Sequence, residues 1–114
     1  MEISFEGIGQ VAATFMVEGD IQPGMAVALT ADGTVGLGKD GDGICGKVLS
    51  VKNGMAAVQI AGLAQVGYSG TAPAIGWDMV AADGTGKIKT VTEKGIACMI
   101  LSVNTADGTA VIKL

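Results

Sequence analysis

The chain has 114 residues and a formal net charge of −4, and it contains 7 Lys but neither Arg nor His. The absence of Arg and of any basic cluster argues against a nucleic-acid partner, because Arg makes many contacts to phosphates and base edges. The absence of His removes the most common general base and a frequent metal ligand. We therefore predict that the protein is not an enzyme.

Glycine and alternating apolar residues predict an all-β fold, a small barrel or sandwich. Of the 114 residues, 19 are Gly, and Gly in a helix interior costs about 1 kcal/mol relative to Ala. A short helical turn is predicted only near 71–77. Period-2 alternation predicts ten strands, at 10–17, 25–30, 34–37, 44–51, 55–61, 63–68, 78–82, 87–92, 96–103 and 109–114.

Two polar segments in the first half are candidates for ligand binding. "VEGDIQPGM" (17–25) is similar to a turn of lipoyl and biotinyl carrier domains, but the Lys that would carry the cofactor is missing, so no cofactor is predicted. In "GKDGDGICG" (38–46), Asp40 and Asp42 have a spacing that suits Ca²⁺. Lys52 stands near the position of the Glu that an EF-hand loop needs. We favour an acidic, glycine-rich loop and keep the two carboxylates as weak metal candidates.

The chain contains an internal duplication. "GICGKVLSV" (43–51) matches "GIACMILSV" (95–103) at five of nine positions, and "ADGT" occurs at 31–34, 82–85 and 106–109. Asp-Gly supplies the positive φ values of hairpin turns. The first two copies occupy equivalent positions, whereas the third lies where the first half has Asn53-Gly54. Asn53-Gly54 and Asp107-Gly108 are both predicted as two-residue hairpin turns.

The middle of the chain carries no charge from residue 53 to residue 77. Its length would suit a membrane span, but Gln59, Pro73 and several glycines interrupt it, so no transmembrane helix is predicted. Trp77 is the last residue of this segment and is predicted as either a core anchor or an interface anchor. For Cys45 and Cys98, buried free thiols are favoured over a disulfide.

The order of these segments resembles bacteriophage capsid decoration proteins. The resemblance rests on "VEGDIQPGMAVALT" (17–30), "AAVQIAGLAQVGYSG" (56–70), "IGWDMVAADGTGKI" (75–88), the two repeats and the terminal "TAVIKL". It implies a small β-barrel or β-tulip and a non-catalytic role on the capsid exterior of the virion. Such a protein would bind the major capsid protein, often as a trimer, and stabilise the expanded head.

The resemblance also implies an N-terminal arm at 1–14, before a single barrel domain at 15–114 with repeats at about 20–61 and 73–114. Two alternatives remain open: another phage assembly module, such as a tail or baseplate β-domain, and a barrel that binds a small molecule or metal, or acts as an enzyme. The predicted capsid or oligomer contacts lie in the arm and in the charge-free middle: Ile3, Phe5, Ile8, Tyr68, Pro73, Ile75 and Trp77.

Overall fold

The computed structural model describes residues 9–114, which form strands and turns without any helix. All ten predicted strands are present, each within two residues of its predicted ends. The helical turn predicted near 71–77 is wrong, because Gly76 already begins a strand. The strands are β1 (Val11–Val17), β2 (Ala26–Ala31), β3 (Thr34–Gly36), β4 (Gly46–Lys52), β5 (Met55–Ala61), β6 (Leu63–Gly67), β7 (Gly76–Ala82), β8 (Ile88–Thr90), β9 (Ile96–Asn104) and β10 (Thr109–Lys113).

Strands β1 to β5 close into a barrel, the first lobe. The strand order is β1-β3-β2-β4-β5, and β1 completes the ring by pairing antiparallel with β5 and parallel with β3. Asn53 and Gly54 connect β4 to β5 with positive φ values of 55° and 74°. A positive φ at both residues matches the two-residue hairpin turn predicted there.

Strands β6 to β10 repeat this arrangement as the second lobe. They form a five-stranded sheet of order β6-β10-β9-β7-β8, which is the order of the first lobe followed in the opposite direction around its ring, β1-β5-β4-β2-β3. A parallel bridge from Tyr68 to Ile88 corresponds to the β1–β3 contact. Two main-chain hydrogen bonds recur at matching places. The Val17 N–H donates to the Gly54 carbonyl at 3.1 Å, and the Tyr68 N–H donates to the Gly108 carbonyl at 2.9 Å. Each acceptor lies in the turn of the last hairpin of its lobe. The prediction of an all-β barrel built from two hairpin-rich halves is confirmed. Each half also includes one strand before the predicted repeat, β1 in the first lobe and β6 in the second.

Each lobe has its own apolar core. Their members are small and β-branched, which suits the tight interior of a five-strand unit. The first core contains Ile21, Val27, Val35, Val48, Ala56 and Val58. The second contains Val66, Val80, Ile88, Cys98, Ile100, Ala110 and Ile112, together with Ala26 from the first lobe.

The first lobe contacts the second through the loop between β3 and β4. The Gly41 N–H donates to the Ala82 carbonyl at 2.8 Å, and the Ala82 N–H donates to the Asp42 carbonyl at 2.7 Å. Beside this pair, Asp40 forms an ion pair with Lys89. The loop predicted as an acidic candidate site therefore joins the two lobes.

The three "ADGT" copies all connect antiparallel strands, but in loops of different length. Asp32-Gly33 forms a two-residue connection, whereas five residues separate β7 from β8. The two-residue turn predicted at Asp107-Gly108 is wrong, because four residues separate β9 from β10. There the Asn104 side-chain oxygen accepts hydrogen bonds from the Ala106 and Asp107 N–H groups, which stabilises the longer turn.

Candidate interaction surface

The predicted contact residues lie in different environments. Ile3, Phe5 and Ile8 are outside the described residues, as is most of the predicted arm, although its residues 11–14 belong to β1. Pro73 is buried, and Tyr68 is half-buried against the second core. In contrast, Ile75 and Trp77 are 66% and 65% exposed.

Ile75 and Trp77 belong to an apolar patch on the outer side of the second lobe. Trp77 lies opposite Met99, and Met79 lies opposite Ala97, in the antiparallel β7–β9 pair. Residues that face each other in such a pair, and those two apart along one strand, share a face of the sheet, so Trp77, Met79, Ala97 and Met99 lie on one face. Ile75 lies just before β7 and is exposed two residues from Trp77. We call these five residues, Ile75, Trp77, Met79, Ala97 and Met99, the Trp77 face. The possibility that Trp77 anchors the core is excluded by its exposure.

Local hydrogen bonds hold the start of this face in place. The two carboxylate oxygens of Asp78 accept hydrogen bonds from the Ala74 N–H at 2.9 Å and the Met79 N–H at 2.8 Å. Between Ile75 and Trp77, Gly76 has a φ of 102°, which an L-residue rarely adopts. The exposed side chains are thus presented by a fixed segment that leads directly into β7.

Asp40 and Asp42 do not converge on a common point for a cation. Asp40 is paired with Lys89, and the Asp42 carboxylate accepts a hydrogen bond from the Lys39 N–H at 2.8 Å. Within residues 9–114, no group of three or more acidic, Cys or His side chains is arranged to hold a metal ion. Both carboxylates therefore have structural roles in the loop that joins the lobes.

A surface groove of about 440 Å³ lies beside the β2–β3 hairpin of the first lobe. No sequence pattern predicted this groove, although "VEGD" at 17–20 supplies two of its acidic residues. Its rim includes Leu29, which is 58% exposed. The side chains around it are Glu18, Asp20, Leu29, Thr30, Leu37, Lys39 and Asp42, with Gly19, Gly36 and Gly38 contributing main chain.

The titratable groups with altered pKa values serve packing and turns. Burial raises the pKa of the Cys45 thiol, and burial followed by the charge of Asp78 raises that of Cys98. Both cysteines are free, and a raised pKa keeps a thiol protonated and unreactive near neutral pH. They contact different cores, Cys45 the first and Cys98 the second.

Asp83 has a lowered pKa for a structural reason. Partial burial by itself would raise the pKa of Asp83, but hydrogen bonds from Ser69, Thr85 and Lys87 outweigh this effect. The Ser69 hydroxyl donates to one carboxylate oxygen at 2.7 Å, and the Thr85 N–H donates to the other at 2.7 Å. The carboxylate thus stabilises the β7–β8 loop.

Comparison with known proteins finds no family model that matches this chain and no curated protein similar to it. Among residues 9–114, none forms a helix long and apolar enough to cross a bilayer.

Proposed function

We propose that this chain is a capsid decoration protein, a structural component of a bacteriophage particle. It binds the outer surface of the head and stabilises the expanded shell without catalysing a reaction. The observation that carries the proposal is the Trp77 face, where Trp77 on β7 and Ile75 just before it are each about two-thirds exposed. Contiguous exposed apolar residues of this kind mark interaction surfaces more often than isolated ones do.

The character of the fold supports this role. A protein that reinforces a shell needs a stable framework and a surface that excludes water on contact. Here the strands of the first lobe close into a barrel, those of the second form a five-stranded sheet, and the side chains of Asp78, Asp83 and Asn104 hold loops in place. Aromatic residues such as Trp are enriched among the side chains that contribute most to binding.

The partner in this proposal is the major capsid protein. Decoration proteins often act as trimers on the lattice, so a homo-oligomer, with a trimer favoured, is part of the same proposal. The protein is made in the bacterial host and ends on the exterior of the virion. Mild acidity suits this position, because the outside of a shell does not need to attract DNA.

Cosedimentation with phage heads tests the proposal. The heads are assembled from the major capsid protein of the phage or prophage that encodes this chain, and they are prepared in unexpanded and expanded forms. We expect the protein to sediment with expanded heads and to raise the temperature at which they disrupt. We expect Trp77→Ala to weaken binding by roughly 30-fold, the effect of losing about 2 kcal/mol at a central interface residue.

The matched control is Met16→Ala, which removes another exposed apolar side chain, 61% accessible, from β1 and outside the Trp77 face. This variant should bind like the wild type. The proposal is refuted if neither form of the head retains the protein at saturating concentration. Retention by isolated tails or baseplates instead of heads would identify a different assembly module.

A further inference from the structure

The contact between the two lobes uses a different surface on each of them. The first lobe contributes the start of β2 and the β3–β4 loop, with the Ala26 N–H donating to the Gly86 carbonyl at 2.8 Å. The second lobe contributes the end of β7 and the β7–β8 loop, including Ala82. A two-fold arrangement would use the same surface on both partners, whereas this contact is heterologous, or head-to-tail.

The surface that the first lobe buries has an exposed equivalent on the second lobe. Ala26 lies opposite Lys47 in the β2–β4 pair, as Trp77 lies opposite Met99 in the β7–β9 pair. Ala26 is 1% exposed because the second lobe covers it, but Trp77 is 65% exposed. The Trp77 face of the second lobe therefore corresponds to the surface through which the first lobe contacts the second.

The surface that the second lobe contributes also has an exposed equivalent, on the first lobe. Val35 accepts a hydrogen bond from the Glu18 N–H as Ile88 accepts one from the Ser69 N–H, which aligns β3 with β8. The surface that the second lobe contributes is the end of β7 and the β7–β8 loop. In this alignment it corresponds to the end of β2 and the β2–β3 turn of the first lobe. Leu29, beside this turn, is 58% exposed and lines the groove.

We propose that a second copy of this chain binds head-to-tail, with the Trp77 face of one copy against the groove beside the β2–β3 hairpin of the next. The contact between chains would then repeat the contact within the chain. This inference rests on the pairing of the lobes and does not depend on capsid binding. On a phage head the Trp77 face would then contact the neighbouring copy, and Trp77→Ala would weaken head binding by disrupting the oligomer. Such a contact closes into a ring if the rotation per copy permits, and otherwise extends as a chain.

An ion pair at the proposed contact would correspond to the ion pair within the chain, where Asp40 pairs with Lys89. The β8–β9 loop next to the Trp77 face carries Glu93 and Lys94, both exposed. The groove is lined by the carboxylates of Glu18, Asp20 and Asp42 and by the ammonium group of Lys39. The acidic excess of the groove offers partners for Lys94, with the signs of charge exchanged relative to the contact within the chain.

Two variants, each with one surface disabled, test the proposal by analytical ultracentrifugation. Trp77→Glu disables one surface and Leu29→Glu the other, and both side chains are mostly exposed, so the fold should tolerate the changes. We expect the wild type to self-associate and each variant alone to associate at least about 30-fold more weakly. An equimolar mixture should form dimers and nothing larger, because only one intact pair of surfaces remains. The control Met16→Glu should associate like the wild type.

Three outcomes would overturn the proposal. The first is a wild-type chain that stays monomeric at millimolar concentration. The second is undiminished association of Leu29→Glu, which indicates a two-fold contact. The third is a mixture of folded variants that stays monomeric. If a variant fails to fold, Lys94→Glu mixed with Asp20→Lys provides a second test. Each variant alone should associate more weakly than the wild type, because like charges then meet at the contact. The mixture should regain the association of the wild type, since opposite charges meet again at every contact, and a mixture that stays monomeric would contradict the proposal.

Discussion

Replacing Gln59 with leucine is expected to lower the free energy of unfolding by about 2 kcal/mol. Gln59 is the buried polar residue of the described core, at 2% exposure. Its side-chain NH₂ group donates to the Ala61 carbonyl at 3.1 Å and to the Leu63 carbonyl at 2.9 Å. These two bonds span the short connection between β5 and β6, where the chain passes from one lobe to the other.

The magnitude follows from the two acceptors that lose their donor. A buried carbonyl without a partner costs about 1 to 3 kcal/mol. Ala61 and Leu63 are only half-buried, so water reaches part of this site and about 1 kcal/mol for each carbonyl applies. Leucine is close to glutamine in size and leaves little cavity. A loss of about 2 kcal/mol corresponds to a decrease in Tm of about 8 °C for a chain of this length.

Urea unfolding and thermal unfolding measure this loss. The matched control is Gln65→Leu, since Gln65 is an exposed residue of β6 and its side chain donates to the Thr109 hydroxyl at 3.3 Å. Water can replace that bond, so the control should change stability by less than about 0.5 kcal/mol. The reasoning fails if both variants unfold at the same denaturant concentration, because burial would then make no difference.

Three further predictions concern packing, pH and thiol reactivity. Gly46→Ala should destabilise the protein by about 2 kcal/mol or more in urea unfolding, because the added methyl would overlap the main-chain oxygen of a β5 residue. Gly43→Ala meets no atom within 4 Å, and an equal loss there would contradict this explanation. Asp83→Asn should reduce the loss of stability in acid. Folding lowers the pKa of Asp83 from its unfolded value of 3.8. The Asp83 carboxylate therefore stabilises the fold above pH 3.8, and this stabilisation disappears as the pH falls through the folded pKa. Unfolding curves between pH 7 and pH 2 measure this, and identical pH profiles for the two proteins would refute it. Iodoacetamide should modify Cys45 faster than Cys98, which is 3% exposed, and equal rates in the folded protein would be inconsistent with this burial.

The strands could be predicted from the sequence because alternation and turn residues agree along most of the chain. The exception at 71–77 has a local cause. Gly76 and Asp78 interrupt the apolar pattern, so the beginning of β7 was not recognisable. The loop at 105–108 was predicted too short, since Asp107-Gly108 alone suggests a two-residue turn. The contribution of Asn104 becomes visible only when its hydrogen bonds are known.

The arrangement of the lobes could not be predicted in the same way. The parallel contact between β1 and β3 involves two residue pairs, and its counterpart in the second lobe is one bridge. Contacts this short leave no periodic pattern in the sequence. The role of Asp40 was also hidden, because its partner Lys89 lies 49 positions further along the chain and belongs to the other lobe. An acidic pair at metal-like spacing therefore proved to be part of the connection between the lobes.

The two lobes of the chain differ at one equivalent position, and this difference indicates why an exposed tryptophan is present. Ala26 and Trp77 occupy corresponding places at the starts of β2 and β7. A small residue is needed at the first place, because the second lobe's Gly86 approaches the main chain there. At the second place the side chain faces outward, so the core of its own lobe does not require its size. Trp77→Ala should consequently leave the free energy of unfolding of the isolated chain within about 0.5 kcal/mol of the wild type. A larger loss in urea unfolding would mean that Trp77 stabilises its own lobe and would weaken its assignment as an interface residue.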